Sequence, residues 1–445
     1  MSDDTTLDVG FLATGWVPDR GGIPSHTDDL ARALAARGHR VAVLCLDTTP
    51  GLEPFGVRES TVKGVRVRRV AYGYGDHEKL MDLMVHLRLS DVVLGWLAET
   101  PCDVVHVHHV TGFGGSAIRA VHEVGQPLVV TLHDYWLLDP RGQLFSPERG
   151  PLDPSALGRL AEELQATWPH LFAGHALDDV QRFRAEALGV LTSPDAVLTP
   201  SAAARAVFER AGVPEGRIRV VENGVAAKSI ATHVAALRQR RKPREAVVLG
   251  VLGSVLPSKG VVELAEAVAD AEIANLVLRV HGDLVPYHGY VEHLARLGAI
   301  AAKCPAVELA GPFERSDVAH VLAELDGVAA PSLWEEVYGL SVREARAAGL
   351  PVLVSDAGGL PATVEDGGGL VVPRGDREAW IAALRRFAGA ERETWATAPA
   401  KVRTVEDAAA EIESVYRDAI LRRTGAARAS SAGNTKPLWK RLFGR

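Results

Sequence analysis

Short apolar segments alternate with helix-type patterns along almost the whole of this 445-residue chain. Strands that alternate with helices form parallel sheets covered by helices, so the pattern predicts the α/β class. The chain length favours two domains. The predicted strands are 7–13, 41–46, 65–71, 103–107, 128–132, 196–199 and 217–221 in the first half, and 247–251, 276–280, 307–309, 327–330, 352–355 and 370–372 in the second.

The segment 229–244 is polar and basic, and Pro243 lies near its end. It is interpreted as the linker between two Rossmann-like domains. This division gives an N-terminal domain over 1–228 and a C-terminal domain over 245–407. A helical insertion is expected at about 138–192, because that stretch contains no convincing strand and long insertions often form lids or binding elements. A helix over 408–423 is expected to pack back on the N-terminal domain, and the basic tail 424–445 is expected to be disordered.

The composition excludes several classes of function. The formal net charge of -7 leaves no basic footprint for nucleic acid. The acidic start lacks the features of a signal peptide, and no stretch reaches the ~18 apolar residues of a membrane span, so a cytoplasmic protein is expected. After Asp418 the chain carries basic residues and no acid. Peripheral contact of this tail with the inner face of a membrane is the alternative to a solvated tail.

The segment 331–344 carries the strongest chemical signal. A strand is predicted to end near Ala330, and a helix is predicted to start at about Gly339. Unpaired amides and the positive end of the helix dipole favour a phosphate at such a start. Glu336 and Glu344 flank this point and can accept hydrogen bonds from sugar and ribose hydroxyls. The alternative is a solvated helix face that includes Glu344.

Histidines and glycines also occur at predicted strand ends, where open parallel sheets bind ligands. Gly21 and Gly22 connect the first strand to a helix, and His133 ends another strand. The stretch 106–109 contains His106, His108 and His109, which would suit a metal. Since no carboxylate or cysteine spacing supports a metal site, polar lining of a cleft or plain packing is the preferred interpretation.

The segment 331–344 resembles the E-x7-E motif of glycosyltransferase family 4, a group of retaining enzymes with the GT-B fold, in which two Rossmann-like domains face each other across a cleft. Further matching positions extend from Gly21 to the Gly358-Gly359 turn. The segment 253–260 resembles the family's phosphate-binding loop, but Ser254 replaces its usual arginine. Either the helix amides and Lys259 suffice without that arginine, or another cation such as Arg315 or Arg343 replaces it.

This resemblance implies specific roles for residues of this chain. The implied catalytic residues are His133, Lys259 and Glu336. The implied donor-binding residues are Gly21, Gly22, Lys259, Gly260, His281, Gly282, Pro312, Phe313, Glu336, Gly339, Leu340, Ser341 and Glu344. The residues expected on the acceptor side are His26, Asp134 and Arg141. No metal and no other cofactor are expected.

The resemblance implies transfer of a hexose-type sugar, with retention of configuration, from a nucleotide sugar to an unknown acceptor. UDP-sugars are favoured as donors because they are common in the family. A sugar-nucleotide epimerase of the same fold and a catalytically inactive nucleotide-sugar-binding protein are the alternatives. A dinucleotide-dependent oxidoreductase is disfavoured, because neither half has a G-x-G-x-x-G turn after its first strand.

Overall fold

A computed structural model of the protein describes residues 5–49, 51–72, 77–395 and 401–431. It confirms the α/β class and the two separate, mainly parallel sheets. The N-terminal half contains β1 (Asp8–Ala13), β2 (Arg40–Asp47), β3 (Val57–Val62), β4 (Val65–Ala71), β5 (Val104–Val107), β6 (Leu128–Thr131), β7 (Phe145–Ser146), β8 (Gly150–Pro151), β9 (Ala196–Thr199) and β10 (Ile218–Val220).

The first sheet has eight strands in the order β10-β9-β6-β5-β1-β2-β4-β3. Only β3 runs antiparallel to its neighbour. The strand β3 was not predicted, because its residues are polar and mostly exposed. An edge strand needs backbone pairing on one side only, so it does not require an apolar run.

The helices of this half cover both faces of the sheet, and one helix shows how local sequence ends an element. The helix α1 stops before Gly38, which has a φ of 92°. A glycine adopts that conformation without steric strain and therefore ends a helix readily. The helices are α1 (Gly22–Ala36), α2 (Met81–Met84), α3 (Leu87–Glu99), α4 (Gly114–Glu123), α5 (Leu157–Thr167), α6 (Ala176–Val190) and α7 (Ala202–Arg210).

The segment 138–192 is mainly helical and contains α5, α6 and the small β7–β8 hairpin. Leu160, Leu164 and Phe183 are buried in the same core as the central strands of the first sheet. The insertion is therefore anchored to its domain by apolar packing.

The second sheet has six parallel strands in the order β13-β12-β11-β14-β15-β16. It is enclosed by helices on both faces. The elements are α8 (Ala227–Arg238), β11 (Val247–Leu252), α9 (Val261–Ala271), β12 (Leu276–His281), α10 (Glu292–Lys303), β13 (Val307–Leu309), α11 (Val318–Ala323), β14 (Gly327–Ala330), α12 (Leu340–Ala347), β15 (Val352–Ser355), β16 (Gly369–Val372) and α13 (Arg377–Ala388).

The interpretation of 229–244 as a linker was wrong for most of its length. The helix α8 occupies Ala227–Arg238 and packs against α11 and α12. Its buried residues Ile230 and Val234 lie four positions apart and belong to a core of the second sheet. Only two buried apolar residues anchor this helix, so its otherwise polar sequence concealed it.

The last helix, α14 (Val405–Ser431), returns to the first half of the chain. It packs against α1, and Ile412, Val415 and Tyr416 join a core of the first sheet. Residues 424–431, which were assigned to a disordered tail, continue this helix, whereas 432–445 lie outside the described residues. Within the described part of the chain, no helix combines the length and apolarity that a membrane crossing requires.

The chain passes between the two halves at two adjacent points. Val225 accepts a backbone hydrogen bond from Val405 at 3.0 Å and donates one to Arg403 at 3.0 Å. A Cβ atom at Gly224 would lie 2.3 Å from Thr404 O, so the two crossings touch there. This paired crossing fixes how the two sheets meet.

Candidate active site

A cleft of about 1010 Å³ lies between the two sheets, at the carboxyl ends of their strands. Its volume suits a ligand of nucleotide-sugar size. Both halves of the chain line it, and most of the site residues expected from the sequence are among its lining: Gly21, Gly22, His26, His133, Lys259, Gly282, Pro312, Phe313, Glu336, Gly339, Leu340, Ser341 and Glu344.

Lys259 and Glu336 form an ion pair in this cleft. Lys259 ends a short turn after β11, and its Nζ donates to Glu336 Oε2 at 2.6 Å. The same oxygen accepts from Ser332 Oγ at 3.0 Å and from Trp334 Nε1 at 3.1 Å. These donors hold one carboxylate oxygen and a lysine charge in a fixed position.

Glu344 forms a second ionic group with residues from both domains. Arg315 donates to the Glu344 carboxylate and also to Asp29 Oδ2 of α1, the latter at 2.8 Å. Burial raises the pKa of Glu344, and Arg315 opposes that rise. The pKa of Arg315 is itself raised, because the two carboxylates outweigh the opposing effect of burial. Arg315 therefore stays charged and joins the two walls of the cleft.

The amino end of α12 faces the glycine loop of the first domain. Gly339 has a φ of 77° and precedes the first turn of α12. A Cβ atom at Gly22 would lie 3.7 Å from Leu340 Cδ1, so the loop and the helix start are in close contact across the cleft. The unpaired amides at the start of α12 therefore lie opposite the Gly21-Gly22 loop, where no side chain covers the backbone.

Histidines form part of the cleft wall on the first domain. His26 of α1 and His133 after β6 have ring centroids 5.1 Å apart, and His108 after β5 stacks on His133 at 5.6 Å. Burial lowers the pKa of His26 to about 4, and it lowers the pKa of His133 well below the usual value. These rings are therefore neutral near pH 7.

Four predicted site residues do not line the cleft. Gly260 has a φ of 66°, and a Cβ atom there would meet Pro331 O at 2.0 Å. It therefore permits a close backbone contact beneath the site. His281 packs edge-on against Phe313, with ring centroids 6.1 Å apart, and supports that residue from behind.

Asp134 and Arg141, which were expected on the acceptor side, are held by other protein groups. Asp134 Oδ2 is 2.7 Å from His109 Nε2. Arg141 is buried and donates to Asp139 at 3.0 Å and to Glu163 at 3.4 Å. The expectation that Arg141 meets the acceptor is corrected, because its guanidinium is enclosed within the insertion and is not available to a ligand.

The structure shows where the two candidate substitutes for the missing phosphate-binding arginine lie. Ser254 lines the cleft. Arg343 does not, because its guanidinium lies 3.6 Å from the Tyr338 ring and donates to the carbonyls of Tyr338 and Gly359. Arg315 lines the cleft but is held between two carboxylates. Both arginines are therefore engaged by protein groups, whereas the cleft lining also contains Lys259, in its pair with Glu336, and the amino end of α12.

Two residues of the cleft lining, Arg20 and Asp29, were not predicted from the sequence as site residues. Arg20 reaches across the cleft to Asp283 at 3.1 Å and to Glu314 at 2.8 Å. Asp29 holds Arg315 at 2.8 Å. Arg20 precedes the Gly21-Gly22 turn, and Asp29 lies one helical turn after His26, so sequence proximity was the only available signal.

Comparison with protein-family models places the chain among glycosyltransferases. Residues 20–229 match the model described as Glycosyltransferase Family 4. Residues 235–397 match the model described as Glycosyl transferases group 1. Together the two matches cover most of both domains and most of the residues that line the cleft.

Characterised relatives share a similar extent of sequence. The phosphatidyl-myo-inositol mannosyltransferase of Mycobacterium tuberculosis is 26% identical over 346 residues, which cover 75% of this chain and 73% of that protein. The D-inositol 3-phosphate glycosyltransferase of Acidothermus cellulolyticus is 28% identical over 345 residues, which cover 75% of this chain and 70% of that protein.

Solved structures show the same architecture. Sucrose-phosphate synthase from Thermosynechococcus elongatus has a TM-score of 0.65 at 20% identity, with 96% of this chain and all 100% of that chain covered. HepE of Anabaena in complex with UDP-glucose has a TM-score of 0.59 at 19% identity, with 96% of this chain and 100% of that chain covered. The chain is an enzyme of glycosyltransferase family 4 with the GT-B fold.

Proposed function

We propose that this enzyme transfers a hexose-type sugar from a nucleotide sugar to an acceptor with retention of anomeric configuration. The observation that carries the proposal is the meeting of Lys259, the amino end of α12 and the Gly21-Gly22 loop in one cleft. A cation, helix amides and a bare backbone together suit a diphosphate.

The diphosphate is the leaving group, so negative charge grows on it in the transition state. Lys259 and the first amides of α12 are fixed donors that stabilise this charge without rearrangement. One such donor is worth roughly 10²–10³ in rate. We assign no role to a divalent cation in the transfer, because these groups already supply the positive charge.

The lining carboxylates of the cleft are all engaged in ion pairs, which argues against a carboxylate nucleophile in the transfer. The lining carboxylates are Asp19, Asp29, Asp283, Glu314, Glu336 and Glu344. Each is in an ion pair with an arginine or lysine. Such pairing weakens a carboxylate as a nucleophile. We therefore infer that the acceptor hydroxyl attacks beside the leaving phosphate and that a phosphate oxygen takes its proton.

The names of similar proteins suggest which substrates to test first. The Anabaena structure contains UDP-glucose, which makes UDP-sugars the first donors to try. The names of the mycobacterial and Acidothermus relatives both contain inositol. Inositol 3-phosphate and phosphatidylinositol are accordingly the first acceptors, in a panel that also contains simple sugars and lipid-linked sugars.

A sugar-nucleotide epimerase and an inactive binding protein remain the competing functions. Purified protein is incubated with UDP- and GDP-sugars, with and without each acceptor, and the products are examined by NMR. An α-linked product from an α-linked donor supports the proposal. Inversion, epimerisation of the sugar or binding without turnover contradicts it.

Lys259→Met provides the residue-level test of the same proposal. We expect kcat/KM to fall by about 10²–10³, because a donor to the leaving group is lost. Lys303→Met removes an exposed lysine of α10 and serves as the matched control. Equal activity of the two variants would contradict the assigned role of Lys259.

A further inference from the structure

Three histidines from distant parts of the sequence meet at the carboxyl edge of the first sheet. His26 lies in α1, His108 follows β5, and His133 follows β6. Each offers one ring nitrogen, and the three nitrogens lie within 4.8 Å of one another. We call these residues the histidine triad. His108 Nδ1 is 3.3 Å from His133 Nε2.

The histidine triad contains ring nitrogens that the protein does not satisfy. Among the described residues, His26 Nδ1 and His108 Nε2 are buried and have no hydrogen-bond partner. The exposed fraction is 6% for His26 and 0% for His108. A neutral imidazole carries a lone pair on one nitrogen, and leaving it buried and unpaired is unfavourable.

The chemistry of the histidine triad matches a transition-metal cation. Three neutral imidazoles with an open fourth position form a known type of zinc site. Imidazole also suits cobalt, nickel and copper. Bonds of about 2.1 Å place the nitrogens of a tetrahedral site about 3.4 Å apart. The observed limit of 4.8 Å exceeds this spacing, so the imidazole rings would rotate to converge on one cation.

The position of the histidine triad links such a site to the cleft. His26 and His133 line the cleft, whereas His108 lies behind them and is fully buried. A cation held by all three would turn both lining rings inward and place its own open position toward the cleft. The bound cation would then compete with any ligand that contacts His133, because both would occupy the same part of the cleft.

We propose that His26, His108 and His133 form an inhibitory binding site for a divalent transition cation of the Zn²⁺ class. The binding site itself is independent of the proposed function, but the inhibition rests on it. A bound cation competes with the donor sugar and takes no part in the transfer.

Titration with Co²⁺ tests the binding directly. Protein treated with a chelator and then desalted is titrated at pH 7.5, and the visible absorption of tetrahedral Co²⁺ is recorded. We expect one Co²⁺ per chain at micromolar affinity. His26→Ala and His133→Gln should each weaken binding at least tenfold, because each removes one of three ligands.

His320→Ala removes an exposed histidine of α11 and is the matched control. It should leave the stoichiometry and affinity unchanged. His26→Gln is measured beside His26→Ala, so that a folding defect in one variant does not decide the result. Absence of stoichiometric Co²⁺ binding, or binding that none of the triad variants weakens, overturns the site.

Kinetics separate this inference from the proposed function. Zn²⁺ should raise the KM for the donor and leave kcat unchanged in the wild type. Co²⁺ binding by a protein without transferase activity supports the site while the proposed function fails. Transfer that Zn²⁺ does not inhibit, in a protein that binds Co²⁺, overturns the inhibitory role.

Discussion

Glu344 shows how the role of a single residue depends on its partners. The sequence left open whether it belongs to a solvated helix face or to the site. The structure buries it and pairs it with Arg315, so a solvated face is excluded. Lys259 and Glu336 were likewise identified from the sequence and lie in the cleft, since each belongs to a short motif with a defined spacing. Arg20 and Asp29 belong to no such motif and were missed.

Glu344→Gln tests the expected role in donor binding. We expect the donor KM to rise about tenfold, equivalent to about 1.4 kcal/mol. The value of kcat should stay within about twofold, because the ribose contact proposed for Glu344 would be the same in the ground and transition states. Steady-state kinetics with varied donor provide the measurement.

Glu378→Gln, at an exposed position of α13, is the control for this measurement. A large loss of kcat at unchanged KM in Glu344→Gln would show that the residue acts in the chemical step instead.

At the scale of elements, strong periodic patterns were predicted well and weak ones were not. The strand β9 occupies the predicted residues 196–199, because its apolar run is bounded by polar residues. The helix α8 and the edge strand β3 were missed. In both, tertiary contacts stabilise a polar sequence that carries little local signal.

The helix α14 depends on a charged anchor as well as on apolar packing. Glu413 accepts from Arg417 at 2.6 Å and from Arg37 of the α1 end at 2.7 Å, and it lies 3.1 Å from His39. Burial alone would raise the pKa of Glu413, but these three partners lower it to about 2. The carboxylate is therefore charged throughout the physiological range.

Glu413→Gln should destabilise the protein in a pH-dependent way. We expect the free energy of unfolding to fall by ~2 kcal/mol at pH 7, a typical value for hydrogen bonds to a charged group. The folded pKa lies below the unfolded one, so the contribution is complete above about pH 4.5 and is lost as the pH falls toward about 2.

Urea unfolding of wild type and variant at pH 7, 5 and 4 measures this difference. The difference in the free energy of unfolding between wild type and Glu413→Gln should become smaller only at the lowest pH. Glu406→Gln, at an exposed position of the same helix, is the control. A difference in the free energy of unfolding that does not depend on pH would contradict stabilisation by the charged Glu413 carboxylate.

At the scale of the whole molecule, two sets of ion pairs join the domains across the cleft. The Arg20 side chain is 46% exposed, whereas that of Asp29 is only 7% exposed. Exposed pairs contribute about 0–1 kcal/mol, because water screens them. The pair between Asp29 and Arg315, whose side chains are 7% and 28% exposed, is therefore expected to contribute more to holding the two domains together across the cleft.

The contributions of the Arg315 ion pairs and the Arg20 ion pairs can be compared with two variants, Asp29→Asn and Arg20→Gln. Asp29→Asn should weaken the association of the two domains across the cleft by about 1–2 kcal/mol. Breaking an isolated buried ion pair costs ~3–5 kcal/mol, but the cost here is smaller because Arg315 keeps Glu344 as a partner. We expect a larger radius of gyration in solution scattering and a higher donor KM. Arg20→Gln should change both much less, and equal effects would contradict this ranking.

The sequence by itself determined the two parallel sheets, the helix start at Gly339 and the short motifs that contain Lys259 and Glu336. These features follow from apolar periodicity and from residues close together in the chain, so local physics specifies them. Only the tertiary structure decided that His26, His108 and His133 meet at one edge of the first sheet, that Lys259 pairs with Glu336 and that Asp29 reaches Arg315. Those contacts join residues far apart in sequence, and the order of strands in a sheet, which brings them together, leaves no local signal.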